Sequence, residues 1–174
     1  IGGNIAHADP GSDLPAIAVA FDAKIDVQSA DGMETFAAEE FFLGPLITAI
    51  PENSILRPVS FAIPPKESKS TYVKYFHPGT GYAVVGVAAA IGQTEDGMIT
   101  YARVAINGVG DVAFRAEEVE RTLLGNKPTE ELIQEAANQA AEGQEMGGDL
   151  FASEKYRRHL CQVYTKRALK KLLS

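Results

Sequence analysis

The hydrophobic and polar positions change period along the chain, and the changes divide it into elements. Behind Ser12, apolar residues fall at Leu14, Ile17, Ala18 and Phe21, the spacing of one helix face. Ser12 is a good N-cap and Asp13 stands in the first turn, so the pattern predicts a short helix over 12–22. From Lys24 to Ser29 apolar and polar residues alternate, Ala30-Asp31-Gly32 turns, and Met33 to Phe36 resumes the β pattern. That is a hairpin with one buried side. Ala38 to Phe42 reads as a helical turn. Pro45, Pro51, Pro58, Pro64 and Pro65 argue against long helices in the next stretch, and Ser54 to Ile63 reads as extended.

The polar, proline-rich segment Pro64 to Ser70 is the best boundary, giving expected units of 1–66 and 67–174. Three β-like runs follow, Thr71 to His77, Tyr82 to Gly92 and Met98 to Asn107, separated by Gly79/Gly81 and by Glu95-Asp96-Gly97. They predict an antiparallel meander with the apolar second run as its central strand. The period then turns helical. Glu117 to Leu124 stops at Gly125, Thr129 starts a second helix, and Ser153 starts a last one reaching about Leu173. Strands followed by helices predict an α+β fold, a small antiparallel sheet packed with a helical layer.

Composition narrows the function classes. The chain has 174 residues, 45% hydrophobic and 22% charged, enough for one core or two small ones. A net charge of −7 argues against nonspecific nucleic-acid binding. No apolar run approaches the roughly 20 residues of a membrane span. The one cysteine, Cys161, excludes an intrachain disulfide and a cysteine-based cluster, and in its helical pattern it reads as a packed, reduced thiol. A cytoplasmic location fits it. His7 and Asp9 have no third ligand spaced nearby, so no metal site is expected. The last helix is basic, with Lys155, Arg157, Arg158, Lys166, Arg167, Lys170 and Lys171. These residues either meet the acidic helices before them or form a docking surface for another subunit.

The candidate chemistry lies in the first fifteen residues, I-G-G-N-I-A-H-A-D-P-G-S-D-L-P. Gly2 and Gly3 let another group approach the backbone, and Asn4 adds a side-chain donor and acceptor. Backbone donors beside a helix start make a phosphate site. Asp13 repels phosphate, so sugar hydroxyls suit it better. The alternative is a glycine-containing turn that merely feeds a capped helix.

The string I-G-G-N-x-x-x-x-D-P-x-S-D-L-P resembles the second FAD-binding loop in the medium subunits of molybdenum hydroxylases, the carbon monoxide dehydrogenase and xanthine dehydrogenase family. E-E-F-F-L-G-P-L-I-T (39–48), S-I-L…A-I-P (54–64), Y-V-K-Y (72–75), Y-A-V-V-G-V-A-A-A-I (82–91) and Y-R-R-H-L (156–160) recur there in the same order. The resemblance implies part of an FAD-binding subdomain followed by the family's small α+β domain. It also implies that a further Gly-rich FAD loop belongs upstream, so that this chain is the C-terminal part of a subunit. By resemblance, Gly2, Gly3 and Asn4 hold the pyrophosphate region and Ser12 and Asp13 bind phosphate or sugar. Leu56 packs on the flavin and Lys74 lies near it. The residues alone also allow Leu56 as a plain core leucine, with Pro58 as its rival in the alignment, and Lys74 as a solvated strand lysine. No residue is expected to act as a catalytic acid or base. The implied function is electron transfer through FAD from the clusters of an iron–sulfur small subunit to an external acceptor. The molybdenum cofactor and 2Fe-2S clusters belong to partner subunits, a large molybdenum subunit among them, in a dimer of heterotrimers. The alternative is a non-catalytic fragment that bridges subunits and does not bind FAD alone.

Overall fold

The computed structural model describes residues 1–173. Two short helices come first, α1 (Gly2–His7) and α2 (Asp13–Ala20). The hairpin of β1 (Lys24–Ser29) and β2 (Gly32–Ala37) forms in the expected place, and β5 (Ile55–Ser60) joins β1 on its other side. Between them lie the helical turn α3 (Ala38–Phe41) and the small pair β3 (Phe42–Gly44) and β4 (Ile47–Thr48). The larger sheet has the order β6 (Lys69–Phe76), β7 (Ala83–Gln93), β8 (Ile99–Asn107), β9 (Phe114–Arg115), every pair antiparallel. Three helices close the chain: α4 (Glu117–Leu123), α5 (Glu130–Asn138) and α6 (Glu154–Leu173).

The apolar run of β7 is central, as its composition predicts, because both faces of the sheet are covered. Val85, Val87, Ala89 and Ile91 point into a core shared with Val104, Ile106 and the helices α4, α5 and α6. On the opposite face Ala88, with Tyr72 and Ala105 as its register neighbours, packs beneath Ile5, Ala16 and Val19. Small residues on that face let α2 lie close to the sheet.

An ion-pair network ties the two halves. Asp22, at φ 44 just after α2, meets Arg103 at 3.0 Å and Arg115 at 3.2 Å. Arg115 also donates to the buried Glu120 at 2.8 Å, and Glu120 accepts from the Val104 backbone at 2.8 Å.

Two features depart from the sequence reading. Gly2 to His7 is a short helix rather than a loop. The N–H groups of Asn4 and Ile5 reach the Ile1 carbonyl at 3.0 and 3.1 Å, the fully buried Ile5 anchors the turn, and Ala8 ends it at φ 52. The strand β9 has two residues, too few to show a period. The basic helix α6 also settles several of its side chains inside the chain. Arg157 and Arg158 cap carbonyls, Lys166 meets Gln134 at 2.5 Å, and Lys170 meets Glu130 at 2.7 Å.

Candidate cofactor site

The turn from Asp9 to Asp13 is fixed by the chain's own hydrogen bonds. Gly11 N–H donates to Asp9 Oδ1 at 2.9 Å. Ser12 stands at the N-cap of α2, but its hydroxyl donates to Asn4 Oδ1 at 2.7 Å rather than capping the helix. That bond joins α1 to α2. Asn107, fully buried at the end of β8, donates its amide to the Ser12 carbonyl at 2.8 Å.

Across a cavity of about 510 Å³, the strand β6 faces this turn. Lys74 Nζ lies 2.9 and 3.0 Å from the two carboxylate oxygens of Asp13 and 3.0 Å from the Gly81 carbonyl. Tyr72, two residues earlier and therefore on the same face of the strand, places its hydroxyl 3.0 Å from Asp13 Oδ1 and 3.1 Å from Asn107 Oδ1. Burial first, and then the charge of Asp13, push the Tyr72 phenol well above its ordinary range, so it stays protonated. Gly86 makes this junction possible. A Cβ there would lie 2.1 Å from Tyr72 Oη and 2.2 Å from Asn107 Oδ1.

Asn4, Ser12, Asp13 and Lys74 therefore meet at one cavity. Gly2 and Leu56 meet at the start of α1, where a Cβ on Gly2 would lie 3.5 Å from Leu56 Cδ2. Leu56 is half-buried against the core beneath α1, so it keeps an apolar surface beside the glycine pair. Gly3 is exposed, with no atom within 4 Å of its Cβ position. Gly2 and Gly3 stand in the first turn of α1, where backbone N–H groups lie outside the helix's own hydrogen-bond ladder. Tyr72, Asn107 and Gly86 were not singled out by sequence reasoning. The strand period relates Tyr72 to Lys74, and a polar Asn107 closing the apolar run V-A-I-N was a signal as well.

This donor set fits FAD. First-turn backbone N–H groups and open space at Gly3 suit a pyrophosphate, the Asp13 carboxylate and the Asn4 and Ser12 side chains suit sugar hydroxyls, and Leu56 offers an apolar contact for a ring. Cys161 takes no part. It is buried among the helices, and desolvation pushes its thiol up to about 12.

The fold that carries these groups is α+β, antiparallel sheets with a helical layer. The chain belongs to the flavoprotein family of the molybdenum hydroxylases: residues 71–172 match the CO dehydrogenase flavoprotein C-terminal domain, and residues 1–65 match the FAD binding domain in molybdopterin dehydrogenase. It is 32% identical to the glyceraldehyde dehydrogenase medium chain of Sulfolobus acidocaldarius, over 99% of this chain and 60% of that one. Its fold matches a carbon monoxide dehydrogenase structure from Hydrogenophaga pseudoflava, one lacking the Mo-pyranopterin moiety of the molybdenum cofactor. The TM-score is 0.91 at 32% identity, over 98% of this chain and 59% of that one. Quinoline 2-oxidoreductase from Pseudomonas putida 86 matches at a TM-score of 0.89 and 28% identity, over 99% of this chain and 59% of that one. The chain thus spans about three fifths of the length of these relatives.

Proposed function

We propose that this chain is part of the FAD-binding, electron-transferring medium subunit of a molybdenum hydroxylase, with residues 1–66 completing an FAD domain and 67–174 forming the following α+β domain. The observation that carries the reading is the convergence of Asn4, Ser12, Asp13 and Lys74 at one cavity, with Gly3 next to Asn4 in α1 and open space at its Cβ position. Gly2 and Gly3 donate backbone N–H groups to the pyrophosphate, with Asn4 beside them. Ser12 and Asp13 face phosphate or sugar groups. Leu56 excludes water from one face of the ring system, and Lys74 sets the local charge. FAD, when bound, supplies the redox chemistry, accepting electrons that originate at a molybdenum centre and passing them to an external acceptor. The partners in this reading are an iron–sulfur small subunit and a large molybdenum subunit, assembled as a dimer of heterotrimers in the cytoplasm. The medium-chain description of the Sulfolobus relative supports a multi-subunit assembly.

The test is Gly3→Val in the full-length subunit. The added side chain enters open space, so the fold is kept while the pyrophosphate approach is blocked. The purified variant is expected to lose its flavin and to keep the wild-type circular dichroism spectrum. Unchanged flavin content in a folded variant contradicts the assigned loop role and favours a bridging domain that does not hold FAD.

A further inference from the structure

Arg157, at the end of the first turn of α6, is only 8% exposed. Its Nη1 donates to the Val84 carbonyl at 2.8 Å and also to the Gly108 carbonyl. Its Nη2 pairs with Asp149 at 2.6 Å. Val84 lies at the start of β7, and Gly108 follows the end of β8. One guanidinium nitrogen therefore holds a carbonyl oxygen from each of the two strand ends. The two strand ends are close enough that a Cβ on Gly108, at φ +84, would lie 2.5 Å from the Ala83 carbonyl oxygen.

The same strand ends reach the opposite way, into the cofactor cleft. Gly108 N–H donates to the Pro10 carbonyl at 2.9 Å, and Ala83 N–H donates to the Gly11 carbonyl at 2.9 Å. Asn107 Nδ2 donates to the Ser12 carbonyl at 2.8 Å. Three successive carbonyls before α2 are thus held by donors from the two strand ends that Arg157 clamps from behind.

We propose that Arg157 is a positioning residue for the FAD site: its guanidinium locks the start of β7 to the end of β8, and those ends set the position of Pro10, Gly11 and Ser12. This inference rests on the reading that Ser12 and Asp13 meet FAD. Arg157 itself lies on the far side of the sheet ends and touches no group in the cleft. Its effect passes through backbone geometry, so its loss loosens the turn without removing a ligand contact. Asp149 holds the guanidinium from the solvent side, with its other carboxylate oxygen fixed by the N–H groups of Phe151 and Ala152.

The experiment uses the full-length subunit with Arg157→Lys, Asp149→Asn and Gly3→Val. FAD affinity is measured by fluorescence titration of the flavin-free protein, and the urea unfolding midpoint is measured in parallel. A lysine can reach one carbonyl but cannot span both carbonyls and Asp149. Arg157→Lys is expected to weaken FAD binding about tenfold, the scale of one lost charge-assisted hydrogen bond. Asp149→Asn is expected to weaken it by a smaller factor. A purely structural role would lower the unfolding midpoint and leave the affinity of the folded protein unchanged, and that result overturns the proposal. If Arg157→Lys does not fold, Asp149→Asn decides: wild-type affinity there also overturns it. Gly3→Val separates the two claims, since wild-type affinity in that variant defeats the FAD reading itself.

Discussion

Asp13 and Lys74 hold each other at 2.9 Å, so neither acts at the cleft as an isolated charge. The repulsion that Asp13 alone would offer a phosphate is offset by the ammonium beside it. The cation that Lys74 offers a reduced flavin is offset in turn. Removing either partner exposes the other, and the two variants are expected to shift the flavin in opposite directions. Lys74→Met leaves a bare carboxylate and lowers the reduction potential of bound FAD. Asp13→Asn leaves a bare ammonium and raises it. Each shift is on the order of tens of millivolts for one charge a few ångströms away in a partly exposed site. Spectroelectrochemical titration of the full-length subunit checks both, and shifts of the same sign would contradict the pair. The quoted motifs already contained both residues, Asp13 in S-D-L-P and Lys74 in Y-V-K-Y, and the strand period placed Lys74 on one face. They did not show that Asp13 and Lys74 are partners, because 61 positions separate them and only the tertiary fold joins α2 to β6.

At the scale of elements, the caps and the breaks in period carried most of the information. Thr129 caps α5, accepting the Leu132 N–H at 3.1 Å, as its position before Glu130 and Glu131 implied. Thr129→Ala is expected to cost about 1 kcal/mol, measured as a lower urea midpoint with unchanged FAD affinity. A variant of wild-type stability would show that α5 is held by packing alone. Gly125 follows α4 at φ +76, the left-handed conformation its residue type favours. The helix α1 was not legible, because G-G-N argues against a helix by local propensity and only the burial of Ile5 outweighs it. The basic composition of α6 was plain, but its use was not. Arg157 and Arg158 cap backbone carbonyls, and the Arg167 guanidinium lies 4.6 Å over the Tyr164 ring. Charge counted along a helix does not say which side chains turn inward.

At the scale of the whole molecule, the central sheet is a partition with a core on each face. One core belongs to the helical layer and the other to the elements that build the candidate cofactor site. The apolar strand β7 joins them, and the Asp22–Arg103–Arg115–Glu120 network fastens them at one end. Glu120 is the buried anion of that network, 5% exposed and bonded to both Arg115 and the Val104 backbone. Glu120→Ala leaves a poorly solvated guanidinium and an unpaired N–H, and is expected to destabilise the protein by about 3 kcal/mol. Urea denaturation checks this, and a loss under about 1 kcal/mol would mean that water or Asp22 takes over the pairing. The sequence order of strands and helices was enough to predict the sheet, its central strand and the helical layer. The packing of α2 on the second face was not predictable, because its contacts with β7 and β8 lie far away in sequence.

In the proposed function, the first helix and the turn after it hold FAD against β6. The most direct test is an experimental structure of the full-length subunit with FAD bound. The pyrophosphate is expected within hydrogen-bond distance of the Gly2 and Gly3 N–H groups, Leu56 against the flavin, and the Asp13–Lys74 pair at its edge. FAD bound elsewhere, with Gly3 facing solvent and the cavity beside Lys74 filled only by water, would contradict the proposed function.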